Sequence, residues 1–254
     1  MIEFNNLSKN YGDKKALQNL TLKIKSGEIF GFLGHNGAGK STTLNSLVSV
    51  IEPSSGSIVF DGLNLREHRQ EIKERIAYVP DSPDIFLQLT AMEYWDLLVA
   101  AYKLSDQEVS IRRQQLIQLF GMGEQVNGLM GSFSHGMRQK AVIIGALLSD
   151  PDIWILDEPM QGLDPQAAYD LKQLMKEHAK KGKTVIFSTH NLDTAQQLCD
   201  ELAILKSGKM IYNGTVEALR AKNNDESLEE IYLKMAGRQS DCHLVEDIEG
   251  ESHG

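Results

Sequence analysis

The sequence predicts an α/β fold in which a parallel sheet carries helices on both faces, preceded by a strand-rich N-terminal portion and interrupted by a helical insert. Three observations predict it. Short apolar runs alternate with turn signals in the opening third. Two capping boxes mark helices in the middle. After about residue 135, helix and strand patterns alternate regularly.

The N-terminal runs Ile2–Leu7, Leu20–Ile24, Glu28–Leu33 and Ile58–Asp61 read as strands, with Ser26-Gly27 and Ser54-Ser55-Gly56 as turns. The third run ends directly in Gly34, and Lys40–Val50 reads as a helix. Thr90-Ala91-Met92-Glu93 is a capping box with Leu89 and Tyr94 spaced as its hydrophobic staple, opening a helix to about Tyr102. Ser105-Asp106-Gln107-Glu108 is a second box, opening a helix that Gly121 closes. Residues from about 84 to 140 therefore form the expected helical insert. A helix over His135–Leu148 follows, then a buried strand over Ile153–Asp157. Asp164-Pro165 supplies a cap and a first-turn proline for a helix ending at Gly182. A strand at Thr184–Ser188, a helix near Leu192–Cys199 and a strand at Leu202–Lys206 complete the alternation.

Composition bounds the function. The 254 residues are 41% apolar and 24% charged, ordinary for a soluble globular chain with a sizeable core. No apolar stretch approaches the roughly 20 residues of a membrane span, and the N-terminal residues show no signal-peptide pattern, so work at a membrane is expected to go through a partner. Cys199 and Cys242 follow no metal or redox spacing and read as reduced thiols; the histidines form no H-x-x-x-H pair. The net charge of −9 sits mostly at one end: residues 223–254 carry nine acids against Lys234 and Arg238, leaving −2 for residues 1–222. A near-neutral body without a basic stripe argues against nucleic acid as the partner. The stretch from about Arg238 reads as a solvated tail.

Gly34-His35-Asn36-Gly37-Ala38-Gly39-Lys40-Ser41 matches G-x-x-x-x-G-K-[ST] in full, between a predicted strand and a predicted helix. Glycines let the backbone curl until successive N–H groups face phosphate oxygens, and the start of the Lys40 helix adds its positive end. Lys40 is placed for β- and γ-phosphates and Ser41 for Mg²⁺, with Thr42 following on the first turn. In Ile153-Trp154-Ile155-Leu156-Asp157-Glu158, four apolar residues bury a strand whose C-terminal end presents Asp157 to the crevice where α/β ligands bind. Asp157 is the candidate metal carboxylate, and Glu158 the candidate for orienting or polarising an attacking water.

The remaining motifs carry a family resemblance. Phe133-Ser134-His135-Gly136-Met137-Arg138-Gln139 resembles the LSGGQ signature of ABC ATPases, Gly162-Leu163-Asp164-Pro165 their D-loop, and Ser188-Thr189-His190 their switch histidine. Tyr11 stands where the family places its adenine-stacking aromatic. Together the motifs cover roughly residues 2–220. The resemblance implies a P-loop NTPase core with an N-terminal antiparallel β portion and a helical subdomain, spanning residues 1–222, followed by an acidic helix and tail at 223–254. It implies binding and hydrolysis of Mg·ATP, with His190 at the γ-phosphate. It also implies a homodimer in which Ser134, Gly136 and Asp164 serve the nucleotide on the opposite subunit, and polytopic membrane subunits that hold the chain at the inner face of the cell membrane.

Two departures stand out. Asp81 replaces the family's usual glutamine after Tyr78-Val79-Pro80, trading a donor and acceptor for an acceptor that approaches Mg²⁺ through water. The signature carries His135 and Met137 where the second glycine and the glutamine are usual. Such variants resemble bacterial exporter subunits, including those similar to the Ecs ATPase. The resemblance also implies a groove between insert and core that receives a membrane-subunit helix, lined by residues near Asp84–Leu89 and Met130–Phe133; the apolar patch of Ile85, Phe86, Leu87 and Leu89 suits such a partner. The helix expected at Ser227–Leu233 resembles the short closing helix of exporter-type chains. The alternatives to a transporter ATPase are a soluble ABC ATPase, for example in cluster assembly, and a regulatory module that holds ATP without turning it over.

Overall fold

A computed structural model of the chain describes residues 1–223 and 226–236. The predicted tail beyond Arg238, with Cys242, lies outside the described residues.

Two sheets form the frame. Strands β1 (Ile2–Tyr11) and β2 (Lys14–Ile24) make an antiparallel hairpin, and β3 (Ile29–Leu33) leads through the phosphate-loop sequence into α1 (Lys40–Leu47). β4 (Ser55–Phe60) and β5 (Leu63–Asn64) complete the antiparallel sheet in the order β2-β1-β4-β5. The short helix α2 (Arg69–Lys73) precedes β6 (Ile76–Val79). Next come α3 (Ala91–Ala101), α4 (Asp106–Leu119) and α5 (His135–Leu147), then β7 (Ile153–Leu156), α6 (Pro165–Lys180), β8 (Thr184–Thr189), α7 (Leu192–Leu198) and β9 (Glu201–Lys206). β10 (Lys209–Gly214), α8 (Val216–Ala221) and α9 (Leu228–Ala236) close the described chain. The second sheet runs β10-β9-β3-β8-β7-β6, parallel except for the antiparallel β10 at its edge.

Side-chain alternation explains the layering. In β7, Ile153 and Ile155 point into a core shared with the antiparallel sheet and α1, while Trp154 and Leu156 point into a core shared with α3–α6. Both faces are buried, as the continuous apolar run requires. A third cluster joins Leu33, Leu202 and Ile204 to α7, α8 and α9.

Several predicted details change. Ser55-Gly56 belongs to β4 rather than to a turn: Gly56 adopts φ +86°, and a Cβ there would lie 2.5 Å from the Asn6 carbonyl, beside an irregular step in the β1–β4 pairing. β1 and β2 run several residues beyond the apolar runs because their register shifts break the alternation used to find them. The helix from Lys40 stops at Leu47, where Arg69 reaches the Ser49 carbonyl and hydroxyl beyond it. Both bonds of the Thr90–Glu93 capping box form. For the second box, the Glu108 side chain lies outside the described residues. Met130 and Phe133, expected to line an open groove, are core residues, at 0% and 5% exposure. Of the apolar patch, Phe86 is half exposed and Ile85, Leu87 and Leu89 are partly buried at that surface. The position-140 boundary falls inside the continuous helix α5.

Candidate functional site

The loop between β3 and α1 is built to curl. Gly34 has no room for a side chain, since a Cβ would meet the Leu205 carbonyl at 2.7 Å. Gly39 caps α1 at φ +112°, left-handed backbone open only to glycine without strain. Between them His35, Asn36 and Gly37 are exposed and Ala38 is buried. Lys40 turns back under the loop: its Nζ donates to the Gly34 carbonyl at 2.7 Å and lies 3.4 Å from that of His35. Ser41 and Thr42 sit on the first turn of α1, whose free N–H groups and dipole face the loop.

β7 and β8 are neighbours, and their C-terminal ends deliver the carboxylates and the histidine to the same place. Asp157 is 1% exposed. Burial pushes its carboxyl above the ordinary range, opposed by hydrogen bonds from Ser188 and Ser41; the charges of Asp81 and Glu158 push it further up. The oxygen donors of Asp157 and Ser41 suit a hard divalent cation, which would offset this carboxylate crowding.

Glu158 occupies left-handed backbone at φ +46°, a strained conformation for a non-glycine residue. Its N–H donates to Ser188 Oγ at 3.0 Å, and the same hydroxyl donates to Asp157. Ser188 thus ties the two acids together. Glu158 Oε2 lies 3.0 Å from His190 Nδ1, which must donate if the acid is ionised. Glu158 Oε1 lies 3.1 Å from Lys40 Nζ, with both side chains under 10% exposed. That contact is a charge contact rather than an aligned hydrogen bond, so Oε1 is a buried acceptor with no hydrogen-bond partner among the described residues.

The other predicted residues fall into three places. Ser134 caps α5, its hydroxyl accepting from Met137 N at 3.2 Å. Gly136 presses on the loop before α6, where a Cβ would stand 2.3 Å from the Gly162 carbonyl. His135 needs Gly162 in turn, since a Cβ on Gly162 would meet its ring at 2.3 Å. Asp164 caps α6 through Ala167 N at 2.9 Å and pairs with Lys140 of α5 at 2.6 Å, so both its oxygens are engaged. Arg138 of α5 pairs with Asp84. Tyr11, at the end of β1, is 48% exposed, with the Lys9 ammonium 5.2 Å from its ring centroid. Asp81 is exposed just beyond β6, close enough to Asp157 to act on its charge. The bridging role of Ser188 was not visible in the sequence, because it joins positions 30 and 31 residues apart; only the adjacency of β7 and β8 could have revealed it.

The profile of the family described as "ABC transporter" matches residues 17–161. Two relatives cover most of the chain. The ABC-type transporter ATP-binding protein EcsA of Bacillus subtilis (strain 168) is 34% identical over 92% of this chain and 96% of its own length. The Nod factor export ATP-binding protein I of Burkholderia orbicola (strain AU 1054) is 32% identical over 86% of this chain and 72% of its own. Among solved structures, an ATP-binding subunit of an ABC transporter superposes with a TM-score of 0.87 at 34% identity, covering 92% of this chain and 99% of that one. The dimeric ATP-binding cassette MJ0796, bound to ADP and Pi after hydrolysis, superposes at 0.76 with 26% identity, covering 85% and 99%.

Proposed function

The chain belongs to the ABC transporter ATP-binding family, and from that premise we propose that it is the ATP-hydrolysing subunit of an exporter, with Glu158 polarising the attacking water. One observation carries the assignment of Glu158. Its Oε1 is buried beside the phosphate loop with no hydrogen bond among the described residues, its charge met by the Lys40 ammonium at 3.1 Å, while Oε2 lies 3.0 Å from His190. A water placed there donates to Oε1 and attacks the γ-phosphorus, the bond to the bridging oxygen breaks, and the proton passes to Glu158. Lys40 exchanges its loop carbonyls for β- and γ-phosphate oxygens, and His190 stabilises the charge that develops. Ser41 and Asp157, with Asp81 nearby, would hold Mg²⁺, which would supply positive charge to neutralise the β- and γ-phosphates. Tyr11 offers its half-exposed ring to adenine.

Ser134 and Gly136 open a helix on the exposed side of the chain, against the Asp164 loop, where their amides can serve a γ-phosphate brought by a second copy. The dimeric state of MJ0796 supports this reading. ATP closes such a pair and hydrolysis reopens it, driving separate membrane subunits. No helix among the described residues is long and apolar enough to cross a membrane. The place of work proposed for the chain is therefore the inner face of the cell membrane, held by those subunits. The similarity to a Nod factor export protein and the short closing helix α9 support export.

The test is Glu158→Gln. ATP binding is expected to persist while turnover falls by about 10²-fold or more. Undiminished hydrolysis removes Glu158 from this role.

A further inference from the structure

We propose that Tyr232 is a positioning residue for the phosphate-binding loop, acting through His35 across the junction between the C-terminal helix and the nucleotide site. The inference rests on the reading that this loop binds nucleotide phosphates.

Helix α9 is docked, not merely appended. Ile231 is 0% exposed and Tyr232 6%, and both join the cluster that contains Leu33, the last residue of β3 before the loop. Its N-terminal end is closed by a capping box in which Ser227 and Glu230 exchange bonds of 2.9 and 3.2 Å. Near its other end, Lys206 Nζ donates to the Met235 carbonyl at 3.3 Å. This seating sets the Tyr232 ring edge-to-face on the His35 imidazole, with centroids 5.0 Å apart and planes at 60°.

His35 matters because its two ends face different partners. Its carbonyl accepts from Ala38 N at 3.0 Å, lies 3.4 Å from Lys40 Nζ, and so fixes the curl of the loop from below. Its ring is the side chain through which α9 touches the loop from outside. The crown at Gly37 stands open, with nothing within 4 Å of where a Cβ would be. A glycine-rich loop with an open crown loses conformational freedom when it closes on phosphates. An anchor at His35 removes part of that loss before the nucleotide arrives, which lowers Kd by preorganisation.

The experiment measures binding of a fluorescent ATP derivative with Mg²⁺, and steady-state ATPase, on the full chain. Tyr232→Ala is expected to raise Kd and KM about 2- to 10-fold, the range of one aromatic contact, with kcat at saturating ATP unchanged. Tyr232→Phe keeps the ring that meets His35 and is expected to lie closer to the wild type in Kd than Tyr232→Ala. His35→Ala is expected to weaken binding similarly, and the double variant to be no worse than the weaker single. Ile231→Ala, which loosens the seating of α9 but keeps both rings, is expected to lower the melting temperature and to raise Kd less than Tyr232→Ala does. If Tyr232→Ala does not fold, Tyr232→Leu replaces it in the cycle. An unchanged Kd in the folded variant, or additive effects of the Tyr232 and His35 changes, overturns the proposal. Failure of the wild type to bind the probe instead overturns the assignment of the loop.

Discussion

The two halves of the nucleotide chemistry are built differently within one chain. Lys40, Asp157, Glu158, Ser188 and His190 converge on the C-terminal ends of three adjacent strands, and all but His190 are buried and mutually bonded. Ser134, His135 and Asp164 lie exposed, with their polar contacts directed to the ends of their own helices and to each other's loop. The difference teaches where each half finds its partner. The buried cluster sets the Lys40 ammonium against the carboxyl groups of Asp157 and Glu158, a crowding of acids that a divalent cation arriving with a nucleotide would offset. The exposed helix start spends the Ser134 hydroxyl on the Met137 N–H, and the N–H groups of His135 and Gly136 ahead of it are placed to suit a ligand arriving from a second copy.

The sharpest way to break this comparison is to perturb each half with one substitution. Lys40→Met leaves Glu158 buried without its cation, so the chain is expected to lose nucleotide binding and about 3 kcal/mol of stability. Lys40→Met combined with Glu158→Gln is expected to regain most of the stability and none of the hydrolysis, measured by denaturant melts and phosphate release. On the exposed half, Gly136→Ala pushes a methyl group into the Gly162 carbonyl. It is expected to lower kcat about tenfold or more while nucleotide binding to the single chain stays within twofold. A large loss of nucleotide affinity there would erase the distinction between the halves.

A third expectation concerns what lies beneath the buried half. The His178 ring stacks on Trp154 of β7, with centroids 3.9 Å apart. Burial, helped by Lys183, Arg112 and Lys181 and opposed by Asp150, pushes its pKa down to about 4. A histidine held neutral by folding stabilises the fold above its unfolded value near 6.5. That stability drains away as pH falls from there towards 4, by up to about 3 kcal/mol. His178→Phe keeps the stack and is expected to flatten this part of the acid profile in denaturant melts between pH 7 and 4. The smallest effect is assigned to Ser188→Ala, which strips the Glu158 N–H of its acceptor and Asp157 of its donor. It is expected to cost about 1–2 kcal/mol, or roughly 2–4 °C of melting temperature per kcal/mol in a chain of this size.

How much of this was readable in the sequence follows from the range of each interaction. The phosphate loop and the strand ending in Asp157-Glu158 are contiguous segments whose order of glycines, lysine, apolar run and acids carries their geometry locally. The caps at Thr90 and Asp164 were readable for the same reason, since each bonds within three residues. The short edge strand β10 and the one-and-a-half turns of α8 were not found, because neither has a length or period long enough to stand out. The placing of Met130 and Phe133 at a groove comes from the family resemblance, which carries a segment but not the inward or outward direction of its side chains; that depends on how α3 and α5 pack. Contacts such as Ser188 to Asp157 and Tyr232 to His35 join distant positions through strand order and helix docking, information that no single window of sequence holds.

The central claim is that one chain holds half of each site. Sedimentation of the Glu158→Gln chain with and without Mg·ATP tests it most directly. The account predicts a species of 28.3 kDa without nucleotide and one of twice that mass with saturating Mg·ATP, lost again when Gly136→Ala is added. A chain that stays at 28.3 kDa with nucleotide bound, while the wild type hydrolyses ATP at a rate independent of protein concentration, would contradict it.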